Sequence, residues 1–303
     1  MLALQLLFNA VALGAAYALV ALGFVLILNA TGAVNFAQGD LVMAGGFGAL
    51  ALGSWFALPG IALLAPLLAG MAVLGLGLAL LAYFPLRRRP PDTVFVSTIA
   101  AGIVLSNGAN ALFGPEQRTT PPLLAIGEWR LGGLVVPYQS AATIVVAAGL
   151  IAVLHLLFTR TQLGRQLRAT AQDREIAACV GIPVDRMVAA TFAVAAALAG
   201  AAGLLLSRSF FVSPSDGGGY MLKAYVAVTI GGWGNIPGAV AGALLIALFE
   251  VAFPALPALV PVLAPYGQAF SHVWSTVVLD ILILLILWRR PQGLFGEAVR
   301  VRP

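Results

Sequence analysis

The sequence predicts an all-α fold: a polytopic membrane helical bundle of about 8 spans, some broken or re-entrant, forming a single transmembrane domain over residues 1–303. Three observations predict it. AVILMFWYC residues make up 61% of the chain and DEKR residues 9%, against roughly 25% charged in a soluble domain. The apolar runs reach the ~20 residues that cross a bilayer core. Twelve of the 15 arginines fall in three clusters, 87–89, 160–186 and 289–302, between those runs. A chain this poor in polar residues lacks the means to cover a water-facing surface, which excludes a disordered protein, a coiled coil and a cytosolic enzyme. The single Cys179 excludes a disulfide framework and a cysteine-built metal site. His155 and His272 are too few and too far apart for a metal centre, and they read as interfacial residues near span ends. The net charge of +5 does not point to nucleic acid, because the segments around the arginines are too apolar for a solvated basic face.

The first run, 5–29, carries no charge, and none occurs before Asp40. Without a positive leading segment it reads as the first helix of the mature protein rather than a cleaved signal. Runs 40–58 and 61–85 bring the chain to the first arginine cluster. If the clusters face the cytoplasm, three crossings place Met1 outside. Runs 94–113 and 139–158 separate the first cluster from the second, an even number. The loops at about 114–138, 208–218 and 254–266 carry three arginines and three acids, as external loops should. Between Arg186 and Arg289 the crossings must again be even, yet hydropathy finds three stretches: 187–207, 219–253 and 267–288. The middle one satisfies parity if it breaks at Gly231-Gly232-Trp233-Gly234-Asn235-Ile236-Pro237-Gly238 into two shorter arms that dip in and return.

A similar interruption, Gly32-Ala33-Val34-Asn35-Phe36-Ala37-Gln38-Gly39-Asp40, precedes the second run. Broken helices in lipid need their freed backbone groups satisfied by protein or by water, which places such breaks near a translocation path. The likeness of the two breaks is the pattern of an internal pseudo-repeat whose paired breaks mark a substrate site; the general frequency of Gly and Pro in membrane helices is the other account. Asn35, Gln38, Gly39, Gly232, Gly234 and Asn235 are therefore candidate substrate-path residues. The 34 glycines and the many alanines let helices approach closely where lipid supplies no hydrophobic drive.

The cytoplasmic loop 160–186 is hydrophilic but helix-patterned. Arg165, Arg168, Gln172 and Glu175 share one face of a helix expected from about Leu163 to Val180, and Leu163, Leu167, Ala171 and Ala178 share another. Gly181 followed by Pro183 is a helix stop. Five helical turns exceed what a connection needs, and mixed charges beside small apolar residues suit protein docking. A helix lying flat on anionic lipid is the alternative.

Glu175-Ile176-Ala177-Ala178 followed by Gly181 resembles the coupling loop of ABC importer permeases. With Gly14-Ala15-Ala16-Tyr17, the Asn35 and Asn235 segments, and Arg290-Pro291-Gln292-Gly293-Leu294-Phe295-Gly296, the chain from about Phe8 to Gly296 resembles the smaller permease of branched-chain amino acid ABC importers. The resemblance implies a multi-pass subunit of the bacterial cytoplasmic (inner) membrane, embedded in membrane lipid, with no cofactor and no enzyme activity of its own. It implies a second, larger permease chain, two ABC ATPase subunits and a periplasmic or lipid-anchored substrate-binding protein as partners. Its ATPase-coupling residues are then Arg165, Arg168, Gln172, Glu175, Ala178 and Gly181. The residues agree on energy supply: no G-x-x-x-x-G-K-S/T phosphate loop occurs, and Lys223 is the only lysine. Members of the same class carry urea, short amides or aromatic acids, so those cargoes remain open.

Asp40, Lys223, Glu250 and Asp280 lie in or beside apolar runs, where ionisable groups are functional candidates by default. Asp40 and Glu250 are expected near span ends, within reach of water. Asp280 is mid-span and is expected to pair with Lys223 or a partner chain, or to act in gating. An ion-coupled secondary transporter using Asp280 and Glu250 is the competing function, but it needs no docking helix. An intramembrane enzyme is disfavoured because no nucleophile–base–orienter set occurs.

Overall fold

A computed structural model describes residues 2–56, 60–120, 123, 127–131, 134–290 and 293–294. Pro291, Gln292, Phe295, Gly296, Arg300 and Arg302, which belong to the C-terminal motif and the third arginine cluster, lie outside the described residues.

The helices follow the apolar runs. They are α1 (Leu2–Thr31), α2 (Gln38–Phe56), α3 (Leu64–Leu78), α4 (Pro91–Phe113), α5 (Tyr138–Arg160), α6 (Gln162–Gln172), α7 (Arg174–Cys179), α8 (Val184–Phe210), α9 (Gly217–Gly231), α10 (Ile236–Leu259) and α11 (His272–Arg289). A 3-10 turn, Gly60–Leu63, leads into α3, and a π-helical turn, Ala79–Tyr83, follows it. Seven helical segments among the described residues are long and apolar enough to cross a membrane. The chain is thus a polytopic helical bundle, and α2 and α9 are not among those seven. One feature had no sequence expectation: an antiparallel hairpin of β1 (Glu128–Leu131) and β2 (Leu134–Pro137) in the loop between α4 and α5.

Helix α1 is apolar all round and is the axis of the bundle. From Ala16 to Ile27 its large side chains are sequestered, and it packs along α10, α8, α5 and α9. The outer helices instead present apolar side chains outward: Leu81 of the turn after α3, Leu112 of α4, Val145 of α5 and Trp288 of α11 are each at least 70% exposed. Such a surface suits hydrocarbon and not water. Contacts between helices run through small residues. A Cβ on Gly45 of α2 would strike the backbone of Gly200 of α8, and one on Gly231 of α9 would strike Gly238 of α10. Without hydrophobic drive in lipid, such close backbone approach supplies the dispersion energy that holds helices together.

Polar contacts define the two ends. Gln5 of α1 accepts a hydrogen bond from Val135 N of β2 (3.0 Å), so the N-terminus lies with the arginine-poor loops. Arg87 pairs with Asp185, and Arg174 donates to Tyr83 Oη (3.1 Å), joining the first and second arginine clusters at the other end.

The parity expectation for 219–253 is met in a different form. Helix α9 is short, 15 residues, whereas α10 is span-length, 24 residues. The arms are unequal because α9 begins inside the bundle, where Gly217 meets Gly39 and Asp40 of α2.

Candidate functional site

The turn after α1 is built from local side-chain bonds. Thr31 Oγ1 donates to Ile27 O (2.7 Å) and accepts from Ala33 N (3.1 Å), ending the helix. Asn35 Oδ1 accepts from Ala37 N (3.2 Å), and Phe36 N donates to Thr98 Oγ1 of α4 (3.1 Å). The turn is therefore tied to α4 before α2 begins. Gln38, fully buried, donates from Nε2 to Ala195 O of α8 (3.4 Å). Gly39 packs so tightly on Gly217 and Met221 of α9 that no side chain fits. Asp40 follows at the first turn of α2, half-buried, against Gly102 of α4 and Gly217 of α9. Asn35, Gln38, Gly39 and Asp40 thus form one junction of α2, α4, α8 and α9, where the freed N–H groups of Ala33, Phe36 and Ala37 are bonded to side chains, as a break in a membrane helix requires.

The second break sits elsewhere. Gly232 and Gly234 have positive φ (96° and 79°), and Asn235 Oδ1 caps α10 by accepting from Gly238 N (2.9 Å). Asn29 Nδ2 at the end of α1 donates to Gly234 O (2.9 Å), and Leu294 N donates to Ile230 O (2.7 Å). A cleft of about 270 Å³ nearby is lined by Asn29 and Ile236 together with Arg168 and Gln172 of α6. The two breaks share a local device, an asparagine side chain closing a turn, but not a location. Asn35 stands in the helix junction, and Asn235 stands at the arginine-rich end beside α6.

The charged residues are also rearranged relative to expectation. Lys223 of α9 pairs with Glu250 of α10, Nζ to Oε1 2.8 Å, and not with Asp280. Tyr17 of α1 completes a triad: its hydroxyl accepts from Lys223 Nζ (2.6 Å) and donates to Glu250 Oε2 (3.0 Å). Glu250 lies well inside α10 and is 8% exposed, so the expected water-reached span end is corrected. Burying its charge is tolerable because both carboxylate oxygens are bonded. Asp280 lies half-buried on α11. Tyr17 was missed because a lone tyrosine in an apolar run carries no pairing signal.

At the arginine-rich end the expected continuous helix is two. Asp173 takes an extended backbone (φ −157°, ψ 115°), and its Oδ1 accepts from Ile176 N (2.9 Å), capping α7. A free carboxylate acceptor competes with helix continuation, and N-cap preference was the signal that marks this position. Arg165, Arg168 and Gln172 therefore share α6, while Glu175 and Ala178 belong to α7. Leu167 of α6 and Ala177 of α7 face inward; Arg165, Arg168, Gln172, Glu175, Ala178 and Gly181 are exposed. So are Ile176 and Val180, 64% and 70%, two apolar side chains that the helical pattern overlooked. Helix α7 ends in a Schellman motif: Ile182 N donates to Ala177 O and Gly181 N to Ala178 O, both 3.0 Å, with Gly181 at φ 84°. His155 and His272 are exposed on α5 and at the start of α11, and no metal-ligating cluster occurs among the described residues.

The comparisons with known proteins agree on one family. The family described as branched-chain amino acid transport system, permease component, matches residues 6–287. The chain is 31% identical to the high-affinity branched-chain amino acid transport system permease protein BraD of Pseudomonas aeruginosa, over 97% of this chain and 96% of that one. It is 30% identical to the corresponding protein LivH of Escherichia coli, again over 97% and 96%. A probable branched-chain amino acid transport permease of Methanocaldococcus jannaschii is 28% identical over 92% of this chain and 88% of its own length.

Proposed function

The chain belongs to the family of branched-chain amino acid transport permease components, and on that premise we propose that it is the smaller membrane subunit of an ABC importer in the bacterial inner membrane. Its cargo is a branched-chain or related hydrophobic amino acid delivered by a binding protein outside. The chain pairs with a larger permease, and two ATPase subunits hydrolyse ATP on the cytoplasmic side.

The observation that carries this reading is the α6–α7 surface. It combines exposed Arg165, Arg168 and Glu175 with exposed Ile176, Ala178 and Val180 at the arginine-rich end. An apolar patch ringed by charge fits a groove on a partner protein. The same element reaches inward: Arg168 and Gln172 line the cleft that contains Asn29 and Ile236, so a push on α6 reaches the ends of α1 and α10. An ATPase docked there has a mechanical route into the bundle.

The test is ATP hydrolysis by the reconstituted importer with and without loaded binding protein. Glu175→Arg and Ile176→Asp should abolish the stimulation while this chain remains in the membrane. Normal stimulation and leucine uptake in both variants would remove α7 from the coupling role.

A further inference from the structure

A cavity of about 630 Å³ lies between the start of α2, the middle of α4 and the start of α9. Its size falls within the roughly 300–1,000 Å³ range of small-molecule sites. The walls are mainly apolar, with Ile99 and Ile103 from α4 and Leu222 from α9. The carboxylate on the wall is Asp40. Two glycines make room for its carboxylate: a Cβ on Gly102 or on Gly217 would collide with it. The one lysine of the chain is committed elsewhere, to Glu250 and Tyr17. A half-buried carboxylate open to a cavity, with no cationic side chain beside it among the described residues, is a place for a mobile cation.

The cavity also borders the backbone of Gly218, which precedes the first intrahelical bond of α9, Tyr220 N to Asp216 O (3.2 Å). The first N–H groups of a helix have no intrahelical acceptor and favour negative charge. Opposite electrostatic preferences thus adjoin each other beside an aliphatic wall.

We propose that this cavity is an intramembrane site for the α-ammonium group of the transported amino acid, received by Asp40, with the aliphatic side chain against Ile99, Ile103 and Leu222. It rests on the reading that the cargo is an amino acid. A single carboxylate and an open wall hold the zwitterion weakly, as a stage of transit must, since tight binding would stop release. Urea and sugars hold no cation to pair with Asp40 and can offer it only neutral N–H or O–H donors.

The test uses the assembled importer, with partner permease, ATPases and binding protein, in cells and in proteoliposomes. In a Leu222→Cys variant, a cationic trimethylammonium thiosulfonate and an anionic sulfonate analogue are applied from the external side, where neither reaches Cys179, and the mass shift of this chain is followed. The cationic reagent should react about tenfold faster, the ratio should collapse when Asp40→Asn is added, and millimolar leucine should slow the reaction. Uptake of labelled leucine should fall about tenfold in Asp40→Asn with the complex still copurifying. Should that variant fail to assemble, Leu222→Arg, which places a fixed cation in the cavity, should block uptake with the complex still copurifying. Equal reactivity of the two reagents, or leucine uptake indifferent to Asp40→Asn or Leu222→Arg, would overturn the proposal alone. Absence of leucine uptake by the unaltered importer would overturn the importer reading as well.

Discussion

Lys223 and Glu250, 27 positions apart, meet at 2.8 Å between α9 and α10, and Tyr17 of α1 bonds to both. Three helices are tied at one point inside the bundle by two full charges and a hydroxyl. The pair is asymmetric in exposure: the Lys223 side chain is 27% exposed and that of Glu250 is 9%. Removing the lysine therefore strands the more deeply buried charge.

Lys223→Met should destabilise the chain by about 3 kcal/mol, because an uncompensated buried carboxylate remains. The double variant Lys223→Met with Glu250→Met should recover most of that loss, since apolar replacement of both partners is often neutral. Thermal unfolding of the purified complex in detergent measures the cycle. Equal destabilisation by the single and double variants would show that the pair contributes nothing beyond packing.

Gly39 and Gly70 should respond oppositely to alanine. A Cβ on Gly39 would strike Gly217 and Met221, whereas none of the surroundings of Gly70 comes within 4 Å. Gly39→Ala should sharply reduce the yield of monodisperse protein in size-exclusion chromatography. Gly70→Ala should leave it unchanged or gain up to about 1 kcal/mol from helix propensity. Normal yield of Gly39→Ala would mean that α2 and α9 do not meet so closely.

Asp173→Ala should cost about 1 kcal/mol by removing the cap of α7. Gly181→Val should cost on the order of 1–3 kcal/mol, because φ of 84° is strained for a β-branched residue. Neither change alters an exposed side chain of the Glu175–Val180 patch, so any loss of stimulated ATP hydrolysis reports the orientation of α7 rather than its chemistry. Stimulation within twofold of wild type in both would detach helix orientation from coupling.

Cysteines placed at Arg168 and at Glu116 should label from opposite sides of the membrane with an impermeant maleimide. Arg168 lies with the arginine-rich end, and Glu116 lies near the Arg118–Val212 bridge at the other. Native Cys179, exposed at the end of α7, should behave like the Arg168 position. Labelling of the Arg168 position from the external side would invert the topology.

The membrane class, the order of the helices, the arginine-rich end, the two backbone breaks and the helix stop at Gly181 are all legible along the chain. These depend on transfer free energies and backbone preferences that add residue by residue along a short window, so hydropathy, charge placement and glycine positions expose them directly. Helix packing, in contrast, sets the Asn35 and Asn235 turns in different places, brings Lys223 to Glu250 rather than Asp280, and turns Asp40 toward a cavity cleared by Gly102 and Gly217. Tyr17 and Lys223 are separated by 206 positions and share no periodicity. Their meeting depends on which glycine and alanine faces let α1, α9 and α10 approach, and that is a three-dimensional matching of surfaces. The division of the coupling segment at Asp173 lies between these cases: the capping residue is written in the chain, but the helical pattern across it is equally good, and the structure has α6 and α7 anchored separately, through Leu167 and Ala177.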